Sequence, residues 1–209
     1  MTNLAKLKDL ILQGRIKEVE ELVKAAIYEN VPARDILDNG LIAGMNVVGL
    51  KFKANEIFIP EVLIAAKAMS AGVKLLETLL IEQGCQPKGR IVIGTVRGDL
   101  HDIGKNIVGM MFKGAGFKII DLGIDVPVEK FINAARENKA ELVAMSALIT
   151  TSMPVMKKVI SALKQENILA KTMIGGAPVT GEFATQIGAD GYAADAASAV
   201  DLAKSLLEN

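Results

Sequence analysis

Hydrophobic residues in the first part of the chain recur every three or four positions, as they do on one face of a helix. Residues 4–12 and 15–30 are two such amphipathic segments, separated by Gly14. A third helix is predicted over about 33–52, and Pro60 opens a fourth, because proline fits the first turn of a helix. Four helices with short connections predict a small four-helix bundle.

The pattern changes after residue 89 to short, mostly apolar runs that alternate with helical stretches. This alternation predicts a parallel sheet with helices on both faces. We expect a flavodoxin-like (Rossmann-like) α/β domain with a five-stranded parallel sheet in the order 2-1-3-4-5. The predicted strands are RIVIGTV, FKIIDLG, ELVAMSAL, KTMIGG and DGYAA, and the predicted helices span 103–115, 128–138, about 152–166, 180–187 and 196–207.

The segment GCQPKG, residues 84–89, combines glycine, proline and lysine, as linkers between domains often do. The sequence therefore predicts a helical cap domain over residues 1–85 and an α/β domain over residues 90–209, joined by this linker.

The histidine of this chain, His101, is its only one and follows the first predicted strand. In the expected strand order, its loop meets the loop after the third strand, SALITTSMP, at the carboxyl edge of the sheet. A carboxylate such as Asp99 can hold one ring nitrogen, which leaves the other for a metal or a proton. The simpler interpretation stays open: Asp99 and Asp102 can be turn and helix-cap residues, and His101 an ordinary surface residue.

Charge and composition limit the partners and the location that we expect for this protein. Lysine plus arginine and aspartate plus glutamate number 24 each, so charge gives no reason to expect nucleic acid or an anionic membrane as a partner. The N-terminus lacks the apolar core of a signal peptide, no apolar run reaches the ~20 residues of a membrane span, and the single cysteine fits a reducing compartment. We therefore expect a cytoplasmic protein.

One histidine and one cysteine argue against a structural zinc site at His101, because such sites are built from four protein ligands, mostly Cys and His. A cofactor that brings its own equatorial ligands, such as a tetrapyrrole-type macrocycle, needs only one protein ligand.

Three short motifs, taken together, resemble a known cofactor-binding signature. Asp99-x-His101-x-x-Gly104, then Ser146-x-Leu148, then Gly175-Gly176 resemble the cobalamin-binding signature DxHxxG…SxL…GG of corrinoid proteins. Residues 44–69 resemble the helical cap of cobalamin-dependent methionine synthase. The likeness is greatest to the small corrinoid proteins of methyltransferase systems in methanogens and acetogens, which consist of these two domains.

The resemblance implies that His101 replaces the benzimidazole of the cofactor as lower axial ligand of cobalt, so that a cobamide binds base-off. Asp99 and Ser152 would complete a proton relay, and Phe52, Ile59 and Val62 would cover the upper face of the corrin. The synthase has a glutamate where this chain has Asp38. The implied cofactor-binding residues are Gly98, Asp99, Leu100, His101, Asp102, Ile103, Gly104, Ser146, Leu148, Thr150, Ser152, Gly175, Gly176, Ala196, Phe52, Ile59 and Val62.

The function that the resemblance implies is that of a methyl carrier, a subunit rather than a complete enzyme. It would take a methyl group from a substrate-specific methyltransferase, alternate between methylcob(III)alamin and cob(I)alamin, and serve a second methyltransferase that delivers to coenzyme M or tetrahydrofolate. A reductive activase would be a third partner. Methanol, methylamines, methoxylated aromatics and glycine betaine stay open as methyl donors.

Three other functions stay open at this point. A cobalamin-binding sensor would use the same cofactor, and such regulators usually carry a DNA-binding domain. A subunit of an adenosylcobalamin mutase would have the same sheet without this helical cap. A flavodoxin-like or receiver domain would bind no corrinoid at all.

Overall fold

The structure, a computed structural model, describes residues 4–207. The chain forms two compact units that divide between Pro87 and Lys88, with the short segment Lys113–Gly116 grouped with the first unit. Within residues 4–207, no helix is both long enough and apolar enough to cross a membrane.

The first unit is helical. Its elements are α1 (Leu4–Leu12), α2 (Ile16–Tyr28), α3 (Ala33–Asp35), a π-helical segment (Ile36–Ile42), α4 (Ala43–Lys53) and α5 (Ile59–Glu82). Apolar stripes such as Leu7, Leu10 and Ile11 in α1 are buried, as the sequence pattern requires. Just before α5, the backbone N–H of Phe58 donates to the carboxylate of Glu61 at 3.1 Å. This bond satisfies a backbone donor that has no partner within the helix.

The third predicted helix differs from the expectation of one uniform α-helix. Its middle, Ile36–Ile42, has π-helical hydrogen bonding, with α3 before it and α4 after it. The segment contains Gly40, where a Cβ atom would lie 2.6 Å from Leu7 Cδ1, so a larger residue there would require the Leu7 side chain of α1 to move. Asparagine and glycine also favour the α-helix weakly, which makes a local departure inexpensive.

The second unit is the expected α/β domain. Its strands are β1 (Arg90–Thr95), β2 (Lys118–Asp121), β3 (Leu142–Ser146), β4 (Lys171–Gly175) and β5 (Gly191–Ala193). They pair in parallel in the order β2-β1-β3-β4-β5, so the predicted strand order is confirmed. The helices between and after them are α6 (Ile103–Gly114), α7 (Val128–Glu137), α8 (Pro154–Gln165), α9 (Gly181–Ile187) and α10 (Ala196–Leu207).

The register of the sheet aligns the ends of its strands. Thr95 pairs with Ser146, Ser146 with Gly175, and Gly175 with Ala193. The loops that follow β1, β3 and β4 therefore leave from one line across the carboxyl edge. A buried apolar core that includes Val143 holds the sheet under this edge.

Candidate functional site

Asp99 is the centre of the site, and its side chain is fully buried. Its Oδ1 accepts a hydrogen bond from the backbone N–H of His101 at 3.0 Å and lies 2.7 Å from His101 Nδ1. Its Oδ2 accepts from the backbone N–H groups of Leu148 at 2.6 Å and Ile149 at 3.1 Å, and lies 3.2 Å from Ser152 Oγ. One carboxylate thus joins the loop after β1 to the loop after β3.

These hydrogen bonds decide the charge of Asp99. Burial by itself raises the pKa of the carboxyl, but the backbone N–H groups of His101 and Leu148, the imidazole of His101 and the N–H of Ile149 together hold the pKa well below its ordinary value. Asp99 is therefore ionised at neutral pH and can only accept hydrogen bonds.

An acceptor-only carboxylate determines how the ring of His101 is protonated. Because Asp99 Oδ1 needs a donor at 2.7 Å, the hydrogen-bond network assigns the proton of the neutral ring to Nδ1. Nε2 then carries the lone pair that can bind a metal. The side chain of His101 is 55% exposed, so this nitrogen is accessible. Fully buried Thr95 fixes the backbone, because its hydroxyl donates to the carbonyl of His101 at 2.8 Å.

Apolar side chains that face solvent surround His101 in the sequence. Leu100 and Ile103, on either side of it, are 68% and 71% exposed, and Leu148 and Ile149 on the facing loop are also exposed. Soluble proteins seldom leave large apolar groups exposed together without a partner for them. This surface fits a large, mostly apolar ligand with one position for a nitrogen ligand, as a corrin has.

The glycines of the three motifs differ in what they contact. Gly176 has φ +127°, and a Cβ atom there would lie 1.8 Å from the carbonyl oxygen of Ala147. A Cβ atom at Gly175 would lie 3.0 Å from the carbonyl oxygen of Ala193. At Gly104, by contrast, a Cβ atom would meet nothing within 4 Å. The protein's own backbone requires Gly176, whereas it leaves open space at Gly104.

Ser152 has two acceptors for one proton. Its hydroxyl lies 2.8 Å from the carbonyl of Ile149 and 3.2 Å from Asp99 Oδ2. A hydroxyl donates one hydrogen bond at a time, and the shorter contact is to the carbonyl. The structure therefore brings Ser152 to Asp99, as the relay requires, but makes this its weaker contact.

Four other residues implied to bind the cofactor are spread along the same edge. Ser146 is half-buried at the end of β3, and Thr150 is exposed in the following loop. Ala196 begins α10 and is buried. Gly98, with φ +84°, is exposed at the start of the histidine turn.

In the first unit, the implied cap residues differ in exposure. Phe52 is half-buried near the end of α4, and Ile59 is exposed at the start of α5. Val62 is fully buried in this structure, and its contact with a corrin stays a prediction. Phe58, to which no motif in the sequence points, is a large exposed apolar residue at the same bend.

A polar network around the buried Lys105 reaches Asp102, and the motifs do not reveal it. Lys105 has a 2% exposed side chain, and its Nζ donates to both carboxylate oxygens of Asp121 at 2.7 and 2.6 Å and to Asn106 Oδ1 at 2.7 Å. Asn106 Nδ2 in turn donates to Asp102 Oδ2 at 2.9 Å. The network ties the first turn of α6 to the end of β2, beside His101.

Among residues 4–207, no group of three or more His, Cys, Asp or Glu side chains is arranged to hold a metal ion. A metal at His101 must therefore bring most of its own ligands. A corrin meets this condition, so the residues present fit a corrinoid cofactor.

Comparison with known families agrees with this site. Two family models, each described as a B12 binding domain, match the chain, one over residues 89–201 and the other over residues 4–77. The chain belongs to the B12-binding corrinoid proteins. It is therefore a corrinoid-binding protein. The alternative of a flavodoxin-like or receiver domain that binds no corrinoid is excluded.

Similar corrinoid proteins occur in bacteria and archaea. This corrinoid protein is 42% identical to a corrinoid protein of Desulfitobacterium hafniense, over 99% of this chain and 98% of the relative. It is 46% identical to dimethylamine corrinoid protein 3 of Methanosarcina acetivorans, over 95% of this chain and 94% of the relative.

Among solved structures, the chain is similar to one in the methanol:cobalamin methyltransferase complex MtaBC of Methanosarcina barkeri. That likeness has a TM-score of 0.86 and 32% identity, over 97% of this chain and 78% of the other. A cobalamin-binding protein of Desulfitobacterium hafniense DCB-2 is also similar, with a TM-score of 0.82 and 30% identity over 99% of each chain.

Proposed function

We propose that this corrinoid protein carries a methyl group between two methyltransferases, with His101 as the lower axial ligand of a cobamide bound base-off. The observation that carries the proposal is the arrangement of one imidazole. Asp99 holds its Nδ1 at 2.7 Å, and Nε2 stays available in an exposed, apolar setting. When bound, the corrinoid supplies a cobalt that takes up a methyl group in one oxidation state and gives it up in another.

The residues of this chain divide the remaining work. Asp99 orients the ring of His101 and makes Nε2 a better ligand by accepting the Nδ1 proton. When Nε2 is not ligated, Asp99 still accepts the Nδ1 hydrogen bond and holds the ring. Because Asp99 is also bonded to Leu148 and Ile149, the ring keeps its position in both situations.

Binding of the rest of the cofactor falls to the neighbouring groups. We assign the corrin edge to Leu100, Ile103 and Leu148, whose apolar side chains are exposed beside His101. We assign the nucleotide tail to the carboxyl edge of the sheet, at the loops that hold Ser146 and Thr150 and near the small residues Gly175, Gly176 and Ala196.

The bend between α4 and α5 is proposed to shield the bound methyl group from water. Phe52, Phe58 and Ile59 supply apolar surface there, since Phe58 and Ile59 are exposed and Phe52 is half-buried. Exclusion of water protects a reactive centre from side reactions. Val62 is left out of this assignment because it is buried.

The partners in this proposal are a substrate-specific methyltransferase, a second methyltransferase that delivers to coenzyme M or tetrahydrofolate, and a reductive activase, all in the cytoplasm. Relatives named for dimethylamine and trimethylamine cover 95–98% of this chain at 41–46% identity. Methylated amines are therefore the first donors to test, with methanol as the next.

Ligation by His101 can be tested on one labelled side chain, because the chain contains a single histidine. We expect the cobalt(II) form of the protein, reconstituted with hydroxocobalamin and reduced, to show nitrogen coupling in its EPR spectrum. Labelling histidine with ¹⁵N should convert the triplet splitting to a doublet, because the coupled nucleus then belongs to the protein.

The control for this experiment is His101→Gln, which should abolish the label-sensitive splitting. A triplet that persists in the ¹⁵N-histidine protein would come from the benzimidazole of the cofactor and would contradict base-off binding. The outcome does not depend on knowing the methyl donor.

Ser152→Ala is expected to have a small effect. Its hydroxyl makes its shorter contact with the Ile149 carbonyl, and Asp99 keeps the backbone donors of Leu148 and Ile149 without it. We expect the affinity for hydroxocobalamin to fall by less than the ~10-fold that removal of a critical partner of a metal ligand causes. A larger loss, measured by spectrophotometric titration, would show that the serine contact matters more than its geometry indicates.

A further inference from the structure

The loop between β2 and α7 continues alongside β1 after β2 has ended. Leu122 donates its backbone N–H to the carbonyl of Ile93 at 2.8 Å, and Thr95 donates to Gly123 at 3.0 Å. Val126 donates to Thr95 at 3.0 Å and forms a parallel bridge with Val96. The loop therefore reaches the point where the chain leaves β1 for the histidine turn.

Asp125, in this loop, contacts the histidine turn at two places. Its carboxylate oxygen Oδ1 accepts the backbone N–H of Gly98 at 2.7 Å. Its own backbone N–H donates to the carbonyl of Asp99 at 3.0 Å. One residue thus holds the Arg97–Gly98 peptide and the Asp99–Leu100 peptide, which lie before Gly98 and after Asp99.

The backbone of Asp125 is itself unusual, with φ +51°. The left-handed region costs free energy for any side chain, although aspartate and asparagine tolerate it better than most. This conformation accompanies two hydrogen bonds to the neighbouring turn, since the N–H and the carboxylate of Asp125 both reach it. Gly98 has φ +84°, and the position that a Cβ atom would take there meets nothing within 4 Å.

The position of His101 depends on this attachment. The Asp99 carboxylate is held from the β3 side by Leu148 and Ile149, and the His101 carbonyl is held by Thr95. The peptide at Gly98 and the carbonyl of Asp99 lie on the other side of the turn, where Asp125 bonds to both. A shift of this side would change the 2.7 Å contact between Asp99 Oδ1 and His101 Nδ1.

We propose that Asp125 is a positioning residue that fixes the histidine turn, so that Asp99 keeps the proton of the neutral His101 ring on Nδ1. Its importance for cobalt ligation rests on the function proposed above. The effect of Asp125 on the tautomer of the His101 ring does not rest on that function, and it can be measured without a corrinoid.

The test reads the ring nitrogens of His101 by ¹⁵N NMR in the full-length, corrinoid-free protein, at a pH where the neutral ring is observed. Because there is one histidine, one pair of ring resonances reports on it. The wild type is expected to show the Nδ1–H tautomer. Asp125→Gly keeps the left-handed backbone but removes the carboxylate, and it should shift both resonances towards the Nε2–H tautomer that free imidazole prefers.

Two further variants separate positioning from general loop effects. Asp125→Asn retains an oxygen that can accept the Gly98 N–H and tolerates positive φ, so it should restore the wild-type resonances. Asn167→Gly makes the matched change at a residue with φ +54° in the loop between α8 and β4, at the opposite edge of the sheet, and should leave the resonances unchanged.

A folded Asp125→Gly protein with wild-type ring resonances overturns the proposal, and so does an equal shift in Asn167→Gly. If Asp125→Gly does not fold, amide hydrogen exchange of the wild type decides. The Gly98 N–H should be protected although it lies in an exposed turn, and rapid exchange there overturns the proposal. The two proposals can fail separately. If the EPR spectrum shows no coupling to the histidine nitrogen but the NMR experiment gives the expected tautomers, the proposed function is refuted and this inference stands.

Discussion

Asp99→Asn is expected to place the proton of the His101 ring on the wrong nitrogen. The wild-type carboxylate accepts hydrogen bonds on both oxygens, from Leu148 and Ile149 on one side and from His101 on the other. A carboxamide has a single acceptor oxygen, and the two backbone N–H groups of the β3 loop favour that oxygen on their side. The amide NH2 then faces His101 and donates to Nδ1, which forces the proton onto Nε2.

A ring with a proton on Nε2 cannot bind a metal through that atom. We therefore expect Asp99→Asn to lower the affinity for hydroxocobalamin by about 10–100-fold, the range found when the partner of a metal-binding histidine is lost. The backbone N–H of His101 also loses its charged acceptor, and a hydrogen bond to a charged group contributes about 1.5–3 kcal/mol to the free energy of unfolding. Spectrophotometric titration and urea denaturation measure the two effects.

Asp190→Asn is the matched control. Asp190 Oδ2 also accepts a backbone N–H and a hydroxyl, both from Thr172, at 2.7 and 2.8 Å, but it lies before β5 at the other edge of the sheet. This variant should lose stability without a change in the His101 tautomer or in corrinoid affinity. The interpretation of Asp99 would be wrong if Asp99→Asn kept the Nδ1–H resonances and bound hydroxocobalamin as the wild type does.

The sheet order could be predicted because it depends on information that the sequence carries locally. Short apolar runs and amphipathic stretches set the alternation, and right-handed crossovers leave few strand orders. The same order places the loops of His101 and Ser146 together, since Thr95 and Ser146 are paired at the carboxyl edge. The sequence thus predicted that these two loops leave the same edge of the sheet, as the strand pairing shows.

His101 and Ser152 were predicted as partners of Asp99, whereas its backbone partners on the loop after β3 could not be predicted in the same way. The donors at Leu148 and Ile149 are backbone N–H groups, which every residue except proline has, so their side chains give no signal. Asp125 acts through a left-handed backbone and a bond to Gly98, neither of which a motif describes. The π-helical segment was missed because a local change in helical hydrogen bonding leaves most of an apolar pattern intact.

Two glycines of the cobalamin signature are expected to respond to substitution in opposite ways. Gly176→Ala should destabilise the protein strongly, because the new Cβ atom would lie 1.8 Å from the Ala147 carbonyl oxygen at φ +127°. Relief would require the backbone of β4 or of the loop after β3 to move. We expect the free energy of unfolding of the corrinoid-free protein to fall by more than about 3 kcal/mol, beyond the range of most single substitutions.

Gly104→Ala should leave the corrinoid-free protein as stable as the wild type or more stable. Gly104 lies in the first turn of α6, no atom is within 4 Å of the position of its Cβ, and its φ is not in the left-handed region. Alanine favours a helix over glycine by up to ~1 kcal/mol. If the cofactor occupies the open space beside Gly104, the added methyl group will also reduce the affinity for hydroxocobalamin.

Denaturation of the corrinoid-free variants and titration with hydroxocobalamin together separate the two roles. Gly176→Ala tests a contact within the protein, so normal stability in that variant would contradict the close approach of Ala147. Gly104→Ala tests a contact with the ligand, so unchanged affinity would show that the cofactor does not lie against the start of α6. A stable Gly104→Ala protein with weakened binding would identify this glycine as a residue that the cofactor, and not the fold, requires.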